Sequence, residues 1–159
     1  MDSTLFINPI IGIDGREQTA ENILLNRSRV IDWYDNANDE TLFYYKVSEN
    51  VKDKTLLIKS QYPILQFETI FNETTTNKFI VVNVNKINTK CRSHDDWGGL
   101  KTSDVISKLR INVNNIVWAK TRGDYSYIWI DRGYQYVLIE TGDTLAELNL
   151  TVSASGSIN

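Results

Sequence analysis

The clearest alternation of hydrophobic and polar positions lies in the last third of the chain. Four segments show it, separated by short turns that each contain a glycine: 110–120, 125–131, 134–140 and 144–152. A period of two is typical of strands that bury one face, and turns at such close spacing are typical of an antiparallel meander. The sequence therefore predicts antiparallel sheet throughout this region.

The first two thirds of the chain mix strand-like and helix-like segments. Four strands are predicted, the last two as a hairpin across a polar turn: 42–47, 55–59, 63–71 and 78–87. Apolar residues at helical spacing predict helices at 19–34 and 102–109. Together these elements predict a mainly β fold, an antiparallel β-sandwich or barrel-like sheet of about eight strands with one or two short helices.

The segments 125–131 and 134–140 differ chemically between their two faces. With 132–133 as a two-residue turn, Trp129 pairs with Tyr136, whereas a three-residue turn that includes Asp131 alters the pairing but keeps the alternation of each strand. One face is then aliphatic and carries Ile128, Ile130, Val137 and Ile139, while the other is aromatic and carries Tyr125, Tyr127, Trp129, Tyr134 and Tyr136.

Three interpretations of this aromatic face compete. The rings can pack under a second layer of the fold, which is the commonest fate of aromatic side chains in sheets. They can form a protein interface, because Tyr and Trp supply a large contact area at low entropic cost. They can also form a platform on which sugar rings stack. Among the two functional interpretations, the sequence favours the protein interface.

Composition and charge limit the class of protein. The 159 residues are 42% hydrophobic and 23% charged, which predicts one β-rich domain over 1–152 with a flexible tail at 153–159. A net charge of −3 with scattered Lys and Arg disfavours duplex nucleic acid as a partner. No apolar run approaches the roughly 18 residues of a membrane helix, and no export signal is recognised. We therefore expect a protein that is made in the cytoplasm and has no membrane partner.

The segment "KCRSHDDWGGL" (90–100) concentrates reactive side chains. It holds the only cysteine and the only histidine, Cys91 and His94, followed by two aspartates. Cys-x-x-His is half of a zinc pattern, but the chain has no second pair, and a nucleophilic Cys–His pair normally comes from separate elements. We therefore expect no metal, no cofactor and no catalytic residue here, but a long connection anchored by Trp97.

Motifs of enzymes are absent from the sequence. It contains no phosphate-binding loop and no standard hydrolase signature, and the "RGD" at 122–124 is interpreted as a hairpin turn. A carboxylate-dependent hydrolase is the third hypothesis, and it requires a cleft with two facing acids.

The leading hypothesis is a non-enzymatic structural or assembly protein that presents a sheet surface. Its abundant Asn, Ile, Lys and Tyr are typical of low-GC genomes, so the expected setting is a virion, as a phage capsid or tail component. The expected partners are proteins, through self-association or within a larger assembly. The alternative is a carbohydrate-binding module that uses the aromatic face, with a glycan as its ligand.

Overall fold

The computed structural model describes the chain except residues 1–3, 14–15, 36–39, 47–54, 61–78, 134 and 151–159. Eleven strands lie in the described residues: β1 (Thr4–Ile13), β2 (Arg16–Asn26), β3 (Val30–Asp35), β4 (Thr41–Lys46), β5 (Thr55–Ser60), β6 (Phe79–Asn83), β7 (Lys86–Cys91), β8 (Lys108–Asn112), β9 (Ile116–Arg122), β10 (Tyr125–Asp131) and β11 (Tyr136–Thr141). Within the same residues the only helices are two short 3₁₀ turns, Arg27–Arg29 and Val113–Asn115.

The strands form two antiparallel sheets. One has seven strands in the order β2-β1-β5-β4-β3-β8-β6, and the other has four in the order β7-β11-β10-β9. Neither sheet closes into a barrel. The prediction of a mainly β, antiparallel sandwich is therefore confirmed.

Aliphatic side chains from both sheets form the main core. The four-stranded sheet contributes the face that the sequence predicted, Ile128, Ile130, Val137 and Ile139, all fully buried. The seven-stranded sheet contributes Ile31, Leu42, Ile80, Val82, Leu109 and Ile111. Burial of apolar surface between two sheets is the main driving force for such a fold.

Two predicted strands are each divided between the sheets. Segment 78–87 becomes β6 and β7, and segment 110–120 becomes β8 and β9. An asparagine satisfies backbone groups at each crossing: the backbone N–H of Asn85 donates to the carbonyl of Glu140 (2.8 Å), and Nδ2 of Asn112 donates to the carbonyl of Val30 (3.0 Å). Alternation continues through such a corner, so sequence alone does not reveal it.

Both predicted helices are wrong. Segment 19–34 is extended in β2 and β3, because pairing with neighbouring strands overrides a weak helical pattern. Segment 102–109 is a loop followed by the start of β8. There Oγ of Ser103 accepts from the backbone N–H groups of Val105 (3.2 Å) and Ile106 (3.0 Å), as in a helix cap, but no helix follows.

The predicted strand at 144–152 is also wrong over its described part. Residues 144–149 form consecutive turns, in which the N–H of Leu148 donates to the carbonyl of Thr144 (3.1 Å). Leu148 and Leu150 still reach the core. Segment 63–71, its predicted hairpin and the tail at 153–159 lie outside the described residues.

The β10–β11 hairpin has a longer turn than predicted. The N–H of Arg132 donates to the carbonyl of Gln135 (2.9 Å), so Trp129 pairs with Leu138 and Tyr127 with Glu140. The predicted register is therefore wrong by two positions. Because two is the side-chain period of a strand, each residue keeps its face.

An ion pair joins the two sheets inside the protein. The guanidinium of Arg132, in the β10–β11 turn, forms a bidentate contact with the carboxylate of Asp32 on β3, with Nε 3.2 Å from Oδ1. Both side chains are buried, and the guanidinium also lies 3.6 Å from the ring centre of Tyr44. The fold thus pairs these two buried charges with each other.

Candidate functional site

The face of the four-stranded sheet that points away from the main core carries an unusual set of side chains. The strand register places these residues, among others, on this outer face: Trp118, Lys120 and Arg122 from β9, Tyr125, Tyr127, Trp129 and Asp131 from β10, and Tyr136, Leu138 and Glu140 from β11. The sequence predicted the aromatic character of β10 and β11, and the structure adds β9 beside them.

Five rings on this face form an aromatic cluster: Trp97, Trp118, Tyr127, Trp129 and Tyr136. Trp129 lies at its centre and is 0% exposed. Trp118 stacks parallel to Trp129, with ring centres 4.3 Å apart and 7° between the planes. Trp97 packs edge-on against Trp129 (4.6 Å) and Tyr127 (4.8 Å). Such offset and edge-on geometries suit the quadrupoles of aromatic rings.

The connection after β7 brings Trp97 onto the sheet. The carboxylate of Asp96 closes it by accepting from the backbone N–H groups of Arg92 (3.1 Å) and Gly98 (3.0 Å), and these bonds hold the pKa of Asp96 below its usual range. Gly99 has φ +73°, and a Cβ there would lie 2.7 Å from Nδ2 of Asn88. Glycine is therefore required at 99 for the loop to fold back over β7.

Cys91 and His94 do not form a nucleophilic pair. Nδ1 and the carbonyl oxygen of His94 both accept from Nε1 of Trp118, at 3.3 and 3.0 Å, while Sγ of Cys91 contacts the carbonyls of Asn88 and Asp96. Burial raises the pKa of the Cys91 thiol, and the Asp96 carboxylate adds to this effect. A thiol so placed is disfavoured as a thiolate nucleophile.

Two cations lie over the tryptophan rings at the edge of the cluster. Nζ of Lys120 is 5.1 Å from the ring centre of Trp97 and 5.0 Å from that of Trp118, and the guanidinium of Arg122 is 4.8 Å from Trp97. Both cations are exposed, and in the described part of the chain neither pairs with a carboxylate. Among the described residues, the ring faces are therefore what stabilises their charge, together with solvent.

Glu140 is the buried acid of this face. Its carboxylate accepts from the hydroxyl of Tyr127 (2.8 Å) and from Nδ2 of Asn85 (2.5 Å). Burial raises the pKa of Tyr127, and the hydrogen bond to Glu140 and its charge raise it further. These bonds hold Tyr127 in place against the sheet.

The predicted site residues differ in how exposed they are in the structure. Tyr127 and Trp129 are buried under Trp97, Tyr136 is half-buried beside His94, and Tyr125 is 41% exposed at the rim of the face. Tyr134 lies outside the described residues.

The sequence interpretation missed the contribution of β9. Trp118, Lys120 and Arg122 share a face by simple alternation, which was the signal available in "WAKTR". In the structure β9 pairs with β10, and these three residues therefore belong to the aromatic face.

Two clefts adjoin the loop over β7. The larger, about 480 Å³, lies between β7 and residues 99–103, and the smaller, about 310 Å³, lies beside Cys91 and Tyr136. No acidic side chain lines either cleft, so neither offers the two facing acids that hydrolysis by carboxylates needs.

No group of three or more His, Cys, Asp or Glu side chains that could hold a metal ion occurs among the described residues. In the same part of the chain, no helix has the length and apolar character needed to cross a membrane.

Comparisons with known proteins were made at the level of families, sequences and structures. No protein-family model, no curated protein and no solved structure matches the chain.

Proposed function

We propose that this protein is a non-enzymatic assembly module that binds a protein partner through the outer face of its four-stranded sheet. The observation that carries the proposal is the contiguous set of partly exposed rings and cations on that face: Trp97, Trp118, Tyr125, Tyr136, Lys120 and Arg122. Trp, Tyr and Arg are the residues most enriched where protein interfaces derive their binding energy. The aliphatic face of the same strands is already buried between the sheets.

The buried and exposed parts of the cluster have separate roles in this proposal. Trp129 and Leu138 are fully buried and form a rigid base, while Trp118 and Tyr125 remain accessible above it. Rigid aromatic anchors lose little side-chain entropy when a partner covers them, which favours binding. The virion setting, expected from composition, stays a prediction.

The carbohydrate alternative is less favoured by this geometry. A pyranose stacks on an open ring face, and the two most accessible indoles, Trp97 and Trp118, each have a cation over the ring. A sugar would have to displace Lys120 and Arg122 before it could stack. We therefore expect the purified protein to retain no glycan on a glycan array.

Site-specific photo-crosslinking tests the proposal. Tyr125 is replaced by benzoylphenylalanine in the cells that make the protein, and Val81, a strand residue of similar exposure in the other sheet (44% against 41%), serves as the matched control. We expect a discrete protein adduct from position 125 and none from position 81. No adduct from 125, or the same adducts from both positions, would overturn the proposal.

Trp129 is not a suitable probe, although it lies at the centre of the cluster. Its full burial means that Trp129→Ala would lower the free energy of unfolding by about 3–5 kcal/mol, so lost binding would not be separable from lost folding.

A further inference from the structure

β9 is the last strand of the four-stranded sheet, and its outer edge has no strand beside it in the described part of the chain. Arg122 and Tyr125 flank the two-residue turn Gly123–Asp124, with φ +64° at Gly123, so they form a hydrogen-bonded pair. Along an antiparallel ladder, hydrogen-bonded pairs alternate with non-hydrogen-bonded pairs, whose backbone groups point away from the partner strand. The backbone N–H and C=O groups of Thr121 and Ala119 therefore point away from β10.

An open edge is a template for another extended chain. Along β9 this template has a definite charge, because Lys120 and Arg122 project from the outer face at alternate positions. Neither side chain has a carboxylate partner in the described residues, and both are held over indole rings within reach of the edge. An incoming strand with acidic side chains at every second position would place them beside these two cations.

We infer that the open edge of β9 binds an acidic, extended polypeptide segment of the partner as a fifth strand of the sheet. This inference rests on the proposed function, and it adds the chemistry of the partner. The backbone groups of the partner segment bond to those of Ala119 and Thr121, and its Glu or Asp side chains contact Lys120 and Arg122. The half-exposed ring of Trp118 lies on the same outer face and extends the contact.

A second copy of this chain fits the edge poorly. Antiparallel pairing of two β9 strands centred on Lys120 sets two lysines directly opposite each other, and a shift by two positions towards the turn sets Lys120 opposite Arg122. A shift by two positions in the other direction, which sets Lys120 opposite Trp118, avoids this repulsion. Like charges opposite each other in a sheet are destabilising. The charge that attracts an acidic segment thus also disfavours pairing of β9 with itself in the two registers that bring the cations together.

Binding of synthetic peptides to the full-length protein tests the inference. The probe is a fluorescent peptide that alternates Glu and Thr, compared with the same peptide carrying Lys in place of Glu. We expect the Glu peptide to bind with an affinity that falls as salt rises, and the Lys peptide to bind at least about tenfold more weakly. On binding, the backbone amides of Ala119 and Thr121 should gain protection from hydrogen exchange.

Two variants separate the backbone from the charge contribution. Thr121→Pro removes an outward N–H at a position where an edge strand tolerates proline, and Thr121→Val is its matched control, which keeps the amide. We expect Thr121→Pro to abolish binding of the Glu peptide and Thr121→Val to preserve it. The pair Lys120→Gln and Arg122→Gln should weaken binding by about tenfold or more.

Three results would overturn the inference: no binding of the Glu peptide, equal binding of both peptides, or equal binding by Thr121→Pro and Thr121→Val. Sedimentation of the purified protein as a dimer that Thr121→Pro dissociates would assign the edge to a second copy instead. Crosslinking from position 125 without peptide binding would remove this inference and leave the proposed function standing.

Discussion

The two sides of the four-stranded sheet differ in whether their charged side chains are paired. On the inner side, the guanidinium of Arg132, in the β10–β11 turn, is paired with Asp32 across the sheets, and the side chain is 1% exposed. On the outer side, Lys120 and Arg122 are exposed and lie over tryptophan rings, with no carboxylate beside them in the described residues. The sheet thus has one side on which a buried cation is paired within the fold and one side on which two exposed cations are open to a partner.

The largest expected effect comes from breaking the inner ion pair. Asp32→Asn leaves Arg132 charged and buried, and we expect the free energy of unfolding to fall by about 3–5 kcal/mol in denaturant titration. Asp35→Asn, on the same strand and partly exposed, is the control and should cost less than about 0.5 kcal/mol. If the two variants were equally stable, the inner pair would not hold the sheets together.

A slightly smaller effect is expected from the tyrosine beside that pair. Burial, with a smaller contribution from the adjacent Tyr44, raises the pKa of Tyr34 from 10.0 to about 12. The folded state therefore favours the neutral phenol, and this contribution to stability is complete below pH 10 and is lost as the pH rises through about 12.

The pH dependence of unfolding for wild type and Tyr34→Phe measures this contribution. We expect the wild type to lose roughly 3 kcal/mol more than the variant across that interval, which corresponds to a shift of about two pKa units. Identical pH profiles for the two proteins would contradict the interior placement of the Tyr34 hydroxyl.

On the outer face, truncating Trp97 should loosen the loop without unfolding the sheet. Trp97→Ala removes contacts with Tyr127 and Trp129, and we expect a loss of about 2 kcal/mol because the ring is only half-buried. The buried thiol of Cys91 lies under this loop, so its rate of labelling by a thiol reagent should rise by about tenfold or more. Unchanged labelling would show that Trp97 does not hold the loop on the sheet.

The smallest effect on folding is expected from the outer cations. Lys120→Gln and Arg122→Gln together remove two cations from the tryptophan rings, each cation worth about 0.5–1 kcal/mol at an exposed site, so the double variant should lose no more than about 2 kcal/mol. Thermal and denaturant unfolding measure this loss. A loss of unfolding free energy as large as that of Asp32→Asn would mean that these cations mainly stabilise the fold and are not available to bind a partner.

The sequence predicted the faces of the strands better than their partners. Alternation alone assigned Ile128 and Val137 to the core and Tyr127 and Trp129 to the opposite face, and an error of two positions in register did not change this. The helical spacing at 102–109 was misleading because Ile106 and Leu109 reach the core from a loop and a strand, while Val105 is 49% exposed.

Contacts between distant segments were beyond the reach of sequence patterns. Asp32 and Arg132 are 100 positions apart, and nothing in their local sequence distinguishes them from other charged residues. The position of Lys120 over two tryptophans depends on β9 lying beside β10 and on the loop that carries Trp97. Such features follow from topology, which the alternating pattern does not determine.

The role of the outer cations in binding is tested most directly by crosslinking in a charge-reversed background. Benzoylphenylalanine at position 125 is combined either with Lys120→Glu and Arg122→Glu, or with a control of equal charge change at two exposed lysines outside the cluster, Lys101→Glu and Lys108→Glu. We predict that the adduct disappears in the first background and persists in the second. Persistence in both would contradict the role of Lys120 and Arg122 in binding, and loss in both would show that the adduct depends on net charge and not on this surface.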